Sequence, residues 1–196
     1  GDFYNQLYQT TASQAHRALL EEIGLNLLVN YSSEQEIYAS VGLQYIEPEL
    51  REGLQEVNLA KDQKIPKLID FSDLKGVLHN HTTYSDGMHS LKEMSLHCKQ
   101  QGYEYLGICD HSQAAFYANG LKPHSVVEQQ KEIDQLNLEL APFKIFKGIE
   151  SDILNDGSLD YPEEILKSFD FVVASIHSNL KMNLEKAMGR LLAAIE

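Results

Sequence analysis

Gly76-Val77-Leu78-His79-Asn80-His81-Thr82-Thr83-Tyr84-Ser85-Asp86-Gly87 is a short apolar strand that ends in two histidines one residue apart, then turns through Ser-Asp-Gly. Side chains alternate along a strand, so His79 and His81 are expected on one face. Two imidazoles at a strand end begin a metal site, and Asp86 in the following turn can add a carboxylate. The plainer alternative is a polar strand end followed by an ordinary turn, for which Ser-Asp-Gly is well suited.

Three further segments repeat the pattern. Residues 105–109 run into Asp110-His111-Ser112, residues 143–149 into Glu150-Ser151-Asp152, and residues 171–176 into His177-Ser178. Each is a short apolar run, partly β-branched, as expected of a parallel strand covered on both faces. Helical patterns separate them. One spans about 90–101 and buries Leu91, Met94 and Cys98; another spans about 124–140 and buries Val126, Ile133, Leu136 and Leu140; a short one lies near 162–167. Strands alternating with helices imply βα units and a parallel sheet. In (β/α) barrels the chemistry gathers at the C-terminal ends of the strands. His79, His81, His111, Glu150 and His177 all fall there.

Composition narrows the function classes. The formal net charge of −13 argues against a broad nucleic-acid surface, which is normally basic. It leaves room for a phosphate site, because bound divalent cations make such a site locally positive. No apolar run has transmembrane length, and no signal peptide is read at the start, so no membrane partner is expected. Cys98 and Cys109 form no CxxC pair and no disulfide framework, which places the protein in a reducing cytoplasm.

Before the strands, an amphipathic helix is expected over about 11–23, with Ala15, Leu19, Leu20 and Ile23 on one stripe. A shorter one starts at Ser32 or Ser33, where Ser33-Glu34-Gln35-Glu36 has the form of a capping box, and ends near Gly42. Pro48 opens another helical turn. Residues 57–73 are polar, contain Pro66, and read as a connector. The expected organisation is thus a first part over 1–56, a linker over 57–73 and a second domain over 74–196.

His79-Asn80-His81-Thr82-Thr83-Tyr84-Ser85-Asp86-Gly87, Cys109-Asp110-His111-Ser112, Gly148-Ile149-Glu150-Ser151-Asp152 and Ala174-Ser175-Ile176-His177-Ser178 resemble the successive motifs of the polymerase and histidinol phosphatase (PHP) domain. Asp156-Gly157-Ser158-Leu159-Asp160-Tyr161-Pro162 and Ala118-Asn119-Gly120-Leu121 are similar more narrowly to the PHP domain of bacterial family X DNA polymerases. In the first part, residues 36–43 and 45–53 look like the thumb end and linker of those enzymes. Gln9, Thr10 and Ala12 depart from the Tyr-Phe-Thr-Gly-Ser turn usual there, and the palm carboxylates of a polymerase would precede Gly1. Polymerisation by this chain is therefore not expected.

The resemblance implies an α/β fold: a distorted seven-stranded, TIM-like (β/α) barrel, here partial with about four strands, preceded by a small helical thumb segment. It implies His79, His81, Asp86, His111, Glu150 and His177 as metal ligands, with Glu150 bridging. Further ligands in the family follow the fourth strand, so the site is expected to be incomplete in this segment. Asp110 and Asp152 are expected beside the ligands, Asp110 as part of the catalytic centre. Imidazole and carboxylate ligands suit Mn, Zn or Fe, two or three ions per complete site. Two ions about 3.5–4 Å apart activate water and clamp both oxygens of an in-line displacement. The implied reaction is phosphodiester hydrolysis, with the DNA 3′ end as partner (a 3′–5′ exonuclease of DNA repair). The alternatives are a free-standing phosphomonoesterase and a non-catalytic, metal-stabilised module that positions a polymerase on DNA. His89, His97 and His124 read as surface or helix-start residues. Lys181 is a better phosphate contact than Lys144 or Lys147, and a DNA contact by His16 would require the polymerase body.

Overall fold

The computed structural model describes residues 2–195, and the chain divides after Leu68 into two compact units. The N-terminal unit contains α1 (Phe3–Thr11), α2 (Gln14–Ile23), α3 (Glu34–Ser40) and α4 (Glu56–Lys61), with a single 3-10 turn at Pro48–Leu50. The helix expected over 11–23 is α2, which starts later, at Gln14, and α1 before it was not expected. Ala12 and Ser13 are extended, and the Ser13 hydroxyl accepts from the His16 N–H at 3.1 Å, so α2 starts at its cap. At α3, Ser33 accepts from the Glu36 N–H, but the Glu36 carboxylate reaches back one residue further, to the N–H and hydroxyl of Ser32. Only half of the expected capping box forms.

Residues 57–61, expected in the connector, belong to α4, and Val57 and Ala60 enter a core with Tyr8, Leu20, Ile37, Tyr38 and Ile46. Two polar side chains organise that core. Arg51 is fully buried; it donates to Glu34 and Thr11, each at 2.6 Å, and its guanidinium lies 5.3 Å from the Tyr38 ring centroid. His16 is also fully buried, with Nδ1 2.7 Å from Glu56 and Nε2 3.0 Å from the Tyr38 hydroxyl. A histidine enclosed in this way has no surface to offer DNA.

The C-terminal unit is a curled four-stranded parallel sheet, a partial barrel of order β1-β2-β3-β4. The strands are β1 (Gly76–Asn80), β2 (Tyr105–Ile108), β3 (Lys144–Asp152) and β4 (Phe171–Ser175); α5 (Leu91–Gln100), α6 (Pro123–Leu140) and α7 (Glu163–Leu166) connect them, and α8 (Leu184–Ile195) follows β4. Helix α5 begins with a complete capping box, Ser90 with Glu93. Leu91 and Cys98 of α5, Ile133 and Leu136 of α6, and Leu106, Ile108 and Ile145 of the sheet form one core. The opposite face differs from the expected double cover. Gly107 and Gly148 leave room there for Leu78 and the Phe171 ring, which an added Cβ would meet at 2.4 and 2.3 Å, and Leu78 is 54% exposed. Among the described residues, no helix is long and apolar enough to cross a membrane.

Candidate metal centre

The ends of β1, β2 and β4 deliver imidazoles to one carboxylate on β3. Glu150 lies near the end of β3, buried, paired in register with Val173 of β4 and bridged to His111 on the other side. Its oxygens stand 3.4 Å from Nε2 of His79, 3.6 Å from Nε2 of His81, 3.1 Å from Nδ1 of His111 and 3.1 Å from Nε2 of His177. Asp86 approaches the same imidazoles from the turn after β1, 3.8 Å from His81 and 3.9 Å from His111. Three overlapping ligand sets result: His79-His81-Glu150, His81-Asp86-His111 and His111-Glu150-His177. All six expected ligands are brought together, and Glu150 belongs to two of the sets.

His79 of β1 and His81 just past it converge by a different route from the expected alternation. The register shifts between Val77 and Asn80, His79 has a left-handed φ of 64°, and His81 lies beyond the strand end. The Asn80 side chain holds this irregularity in place by donating to the Gly107 carbonyl at 3.1 Å. A bulge that re-aims a side chain is a known device next to functional sites.

The donor set fits divalent metal. Nδ1 of His81 and Nδ1 of His111 are buried and make no hydrogen bond; the 3.1 Å approach of His111 to Glu150 lies outside hydrogen-bonding geometry. Burial and the neighbouring His111 charge lower the pKa of His81 and favour the neutral, ligating form. Burial alone would raise the Glu150 carboxyl, but the His79 bond and the charges of His111 and His177 outweigh it and keep Glu150 ionised. Cys109 joins none of the ligand sets, and burial and the Glu150 charge push its thiol up to about 12.

Asp110 and Asp152 support the centre differently. Asp152 accepts from Nδ1 of His177 at 2.6 Å, which leaves Nε2 of His177 facing Glu150. Burial works to lower the pKa of His177; the bond to Asp152 and the Glu150 charge reverse this and raise it. Asp110, expected in the catalytic centre, is fully buried and joins none of the ligand sets. It accepts from the Thr82 N–H and hydroxyl, each at 2.7 Å, from Ser85, and from Gln129 at 2.6 Å. It thereby ties the loop carrying His81 and Asp86 to α6. The sequence reading missed Thr82, Ser85 and Gln129, although Gln129 interrupts the apolar stripe between Val126 and Ile133. Of the lysines weighed as phosphate contacts, Lys147 pairs with Asp134 at 2.6 Å, Lys144 stands over the Phe146 ring, and Lys181, the favoured one, is exposed. His89 and His97 line a separate cleft with Asn80 and Glu93, and His124 lies in the first turn of α6.

Comparison with known proteins agrees with the architecture. The family model described as PHP domain matches residues 78–192. A Bacillus subtilis (strain 168) protein named DNA polymerase/3'-5' exonuclease PolX is 44% identical over 176 residues, covering 90% of this chain and 30% of its own length. That match extends across the boundary after Leu68. An Acetivibrio thermocellus protein named "Probable phosphatase" is 35% identical over 101 residues, 50% of this chain and 39% of its own. A Caldicellulosiruptor saccharolyticus protein of the same name is 31% identical over 102 residues, 50% of this chain and 40% of its own. The chain therefore spans well under half the length of these relatives.

Proposed function

The chain belongs to the PHP domain family, and we propose that its histidine–carboxylate cluster binds divalent metal and hydrolyses phosphodiesters at the 3′ end of DNA. The observation that carries the reading is Glu150, buried among four imidazoles and common to two of three overlapping ligand sets. His79, His81, Asp86, His111, Glu150 and His177 would hold the ions, and Mn, Zn and Fe all suit such nitrogen and oxygen donors. When bound, the metals supply charge neutralisation and water activation for attack on phosphorus. The protein's own part is orientation: Asp152 fixes the His177 ring, and Asp110 holds the loop that presents His81 and Asp86.

The choice of DNA rests on the relative named as polymerase and exonuclease, whose similarity covers most of both units. It also supports reading the N-terminal unit as the end of a polymerase thumb region. The two cysteines, both free and buried, suit a reducing compartment such as the cytoplasm. A second reading, hydrolysis of a small phosphomonoester, draws support from the relatives named "Probable phosphatase". The discriminating experiment offers the manganese-loaded protein a 5′-labelled DNA strand and, separately, small phosphomonoesters. Stepwise shortening from the 3′ end, abolished by His79→Ala with His81→Ala, is the expected result. Hydrolysis of the small esters alone would establish the second reading. Metal binding with neither activity, in a protein extended through the further strands that the resemblance implies, would make the centre structural.

A further inference from the structure

The loop between His111 and α6 holds two large rings that the metal centre does not use. Phe116 is 85% exposed and Tyr117 63% exposed, and they meet edge to face with centroids 5.8 Å apart. Beneath them the loop is firmly built. Ala115 and Ala118 are buried, the Gly120 N–H donates to the Ala115 carbonyl at 3.0 Å, and the Leu121 N–H donates to the His111 carbonyl at 2.8 Å. A Cβ at Gly120 would meet the Ser112 carbonyl oxygen at 1.8 Å, so the close backbone approach requires glycine there.

Phe116 also lines an open cleft of about 390 Å³ with Tyr84, Gln113, Asn119, Lys122 and His124. The chain carries a net charge of −13, yet no aspartate or glutamate lines this cleft. It offers instead a ring face, two side-chain amides and two groups able to carry positive charge. Its size falls within the range of about 300–1,000 Å³ typical of small-ligand clefts. The cleft adjoins the candidate metal centre: Leu121, which also lines it, donates its N–H to the His111 carbonyl, and Tyr84 lies in the loop between His81 and Asp86.

Resting on the phosphodiester reading above, we propose that the Phe116 cleft is a nucleobase subsite for a single-stranded end. The base stacks on Phe116, and Lys122 and His124 take the adjoining phosphate. Stacking on an aromatic ring tolerates every base, so the subsite anchors an end without selecting its sequence.

The test is equilibrium binding, by fluorescence anisotropy, of a 5′-labelled oligonucleotide whose 3′-terminal linkages are hydrolysis-resistant phosphorothioates, in the presence of manganese. Loss of one stacked base is expected to weaken binding about tenfold in Phe116→Ala, and Phe116→Trp is expected to restore it. An oligonucleotide whose terminal nucleotides are abasic is expected to bind wild type and Phe116→Ala alike. Equal binding of the base-bearing strand by both proteins, an equal loss for the abasic strand, or no binding by wild type would each overturn the subsite. Binding is read without turnover, so the two readings fail separately. Hydrolysis with no Phe116 effect removes only the subsite, and a Phe116 effect without hydrolysis removes only the assigned reaction.

Discussion

Asp152 and His177 form a carboxylate–imidazole pair: the Asp152 carboxylate accepts from Nδ1 of His177 at 2.6 Å, and Nε2 of the same ring faces Glu150 at 3.1 Å. The pair sets the tautomer. With the proton held on Nδ1, Nε2 keeps its lone pair for a metal.

Asp152→Ala is therefore expected to weaken metal binding by about 10–100-fold while leaving the fold intact, since partners of this kind tune affinity by that amount. Titration calorimetry with manganese reads the effect. An affinity equal to wild type would show that the His177 ring is held by something other than Asp152.

Asp110→Ala is expected to act on stability first. It removes the acceptor of Thr82, Ser85 and Gln129, all buried, and leaves their donors unpaired. Stranded buried donors should lower the unfolding free energy by about 3 kcal/mol, read from urea denaturation. A change under about 1 kcal/mol would mean that the loop repacks or admits water.

These two aspartates mark where sequence reading stops. Both stand beside a ligand-type residue, Asp110 before His111 and Asp152 two residues after Glu150, and the strand-end pattern treats them alike. Which oxygen meets which donor depends on α6 and on β4, elements distant along the chain. The strands themselves were legible because each apolar run ends in a histidine or glutamate, and the six candidate ligands followed from those ends and from the family resemblance. The bulge that re-aims His79 was not legible, because the alternation rule assumes an unbroken ladder and no residue type announces the left-handed φ. In the N-terminal unit, the polar surface of α4 hid the two apolar positions, Val57 and Ala60, that join the core.

The N-terminal unit carries an acid-sensitive element. Burial holds the pKa of His16 below its ordinary value, against the opposing pull of Glu56. The unfolded chain thus binds a proton that the folded one refuses as pH falls through about 6.5, and stability is lost on acidification. The Glu56 carboxyl is lowered in the fold, the bond to His16 and backbone donors outweighing its burial, so its contribution persists until lower pH. Urea unfolding of wild type and His16→Gln at pH of about 7.5 and about 5.5 should show the stability difference shrinking toward the acid side. Parallel profiles would mean that His16 titrates normally.

The central claim is that Glu150 organises a cluster of divalent metals. The direct measurement is metal content, by elemental mass spectrometry after dialysis, of the wild-type protein and of Glu150→Gln. Glu150 belongs to two of the three ligand sets, so wild type is expected to retain more than one ion per chain and the variant to lose most of it, with both still folded. Metal at background level in wild type, or equal content in the two proteins, would contradict the account.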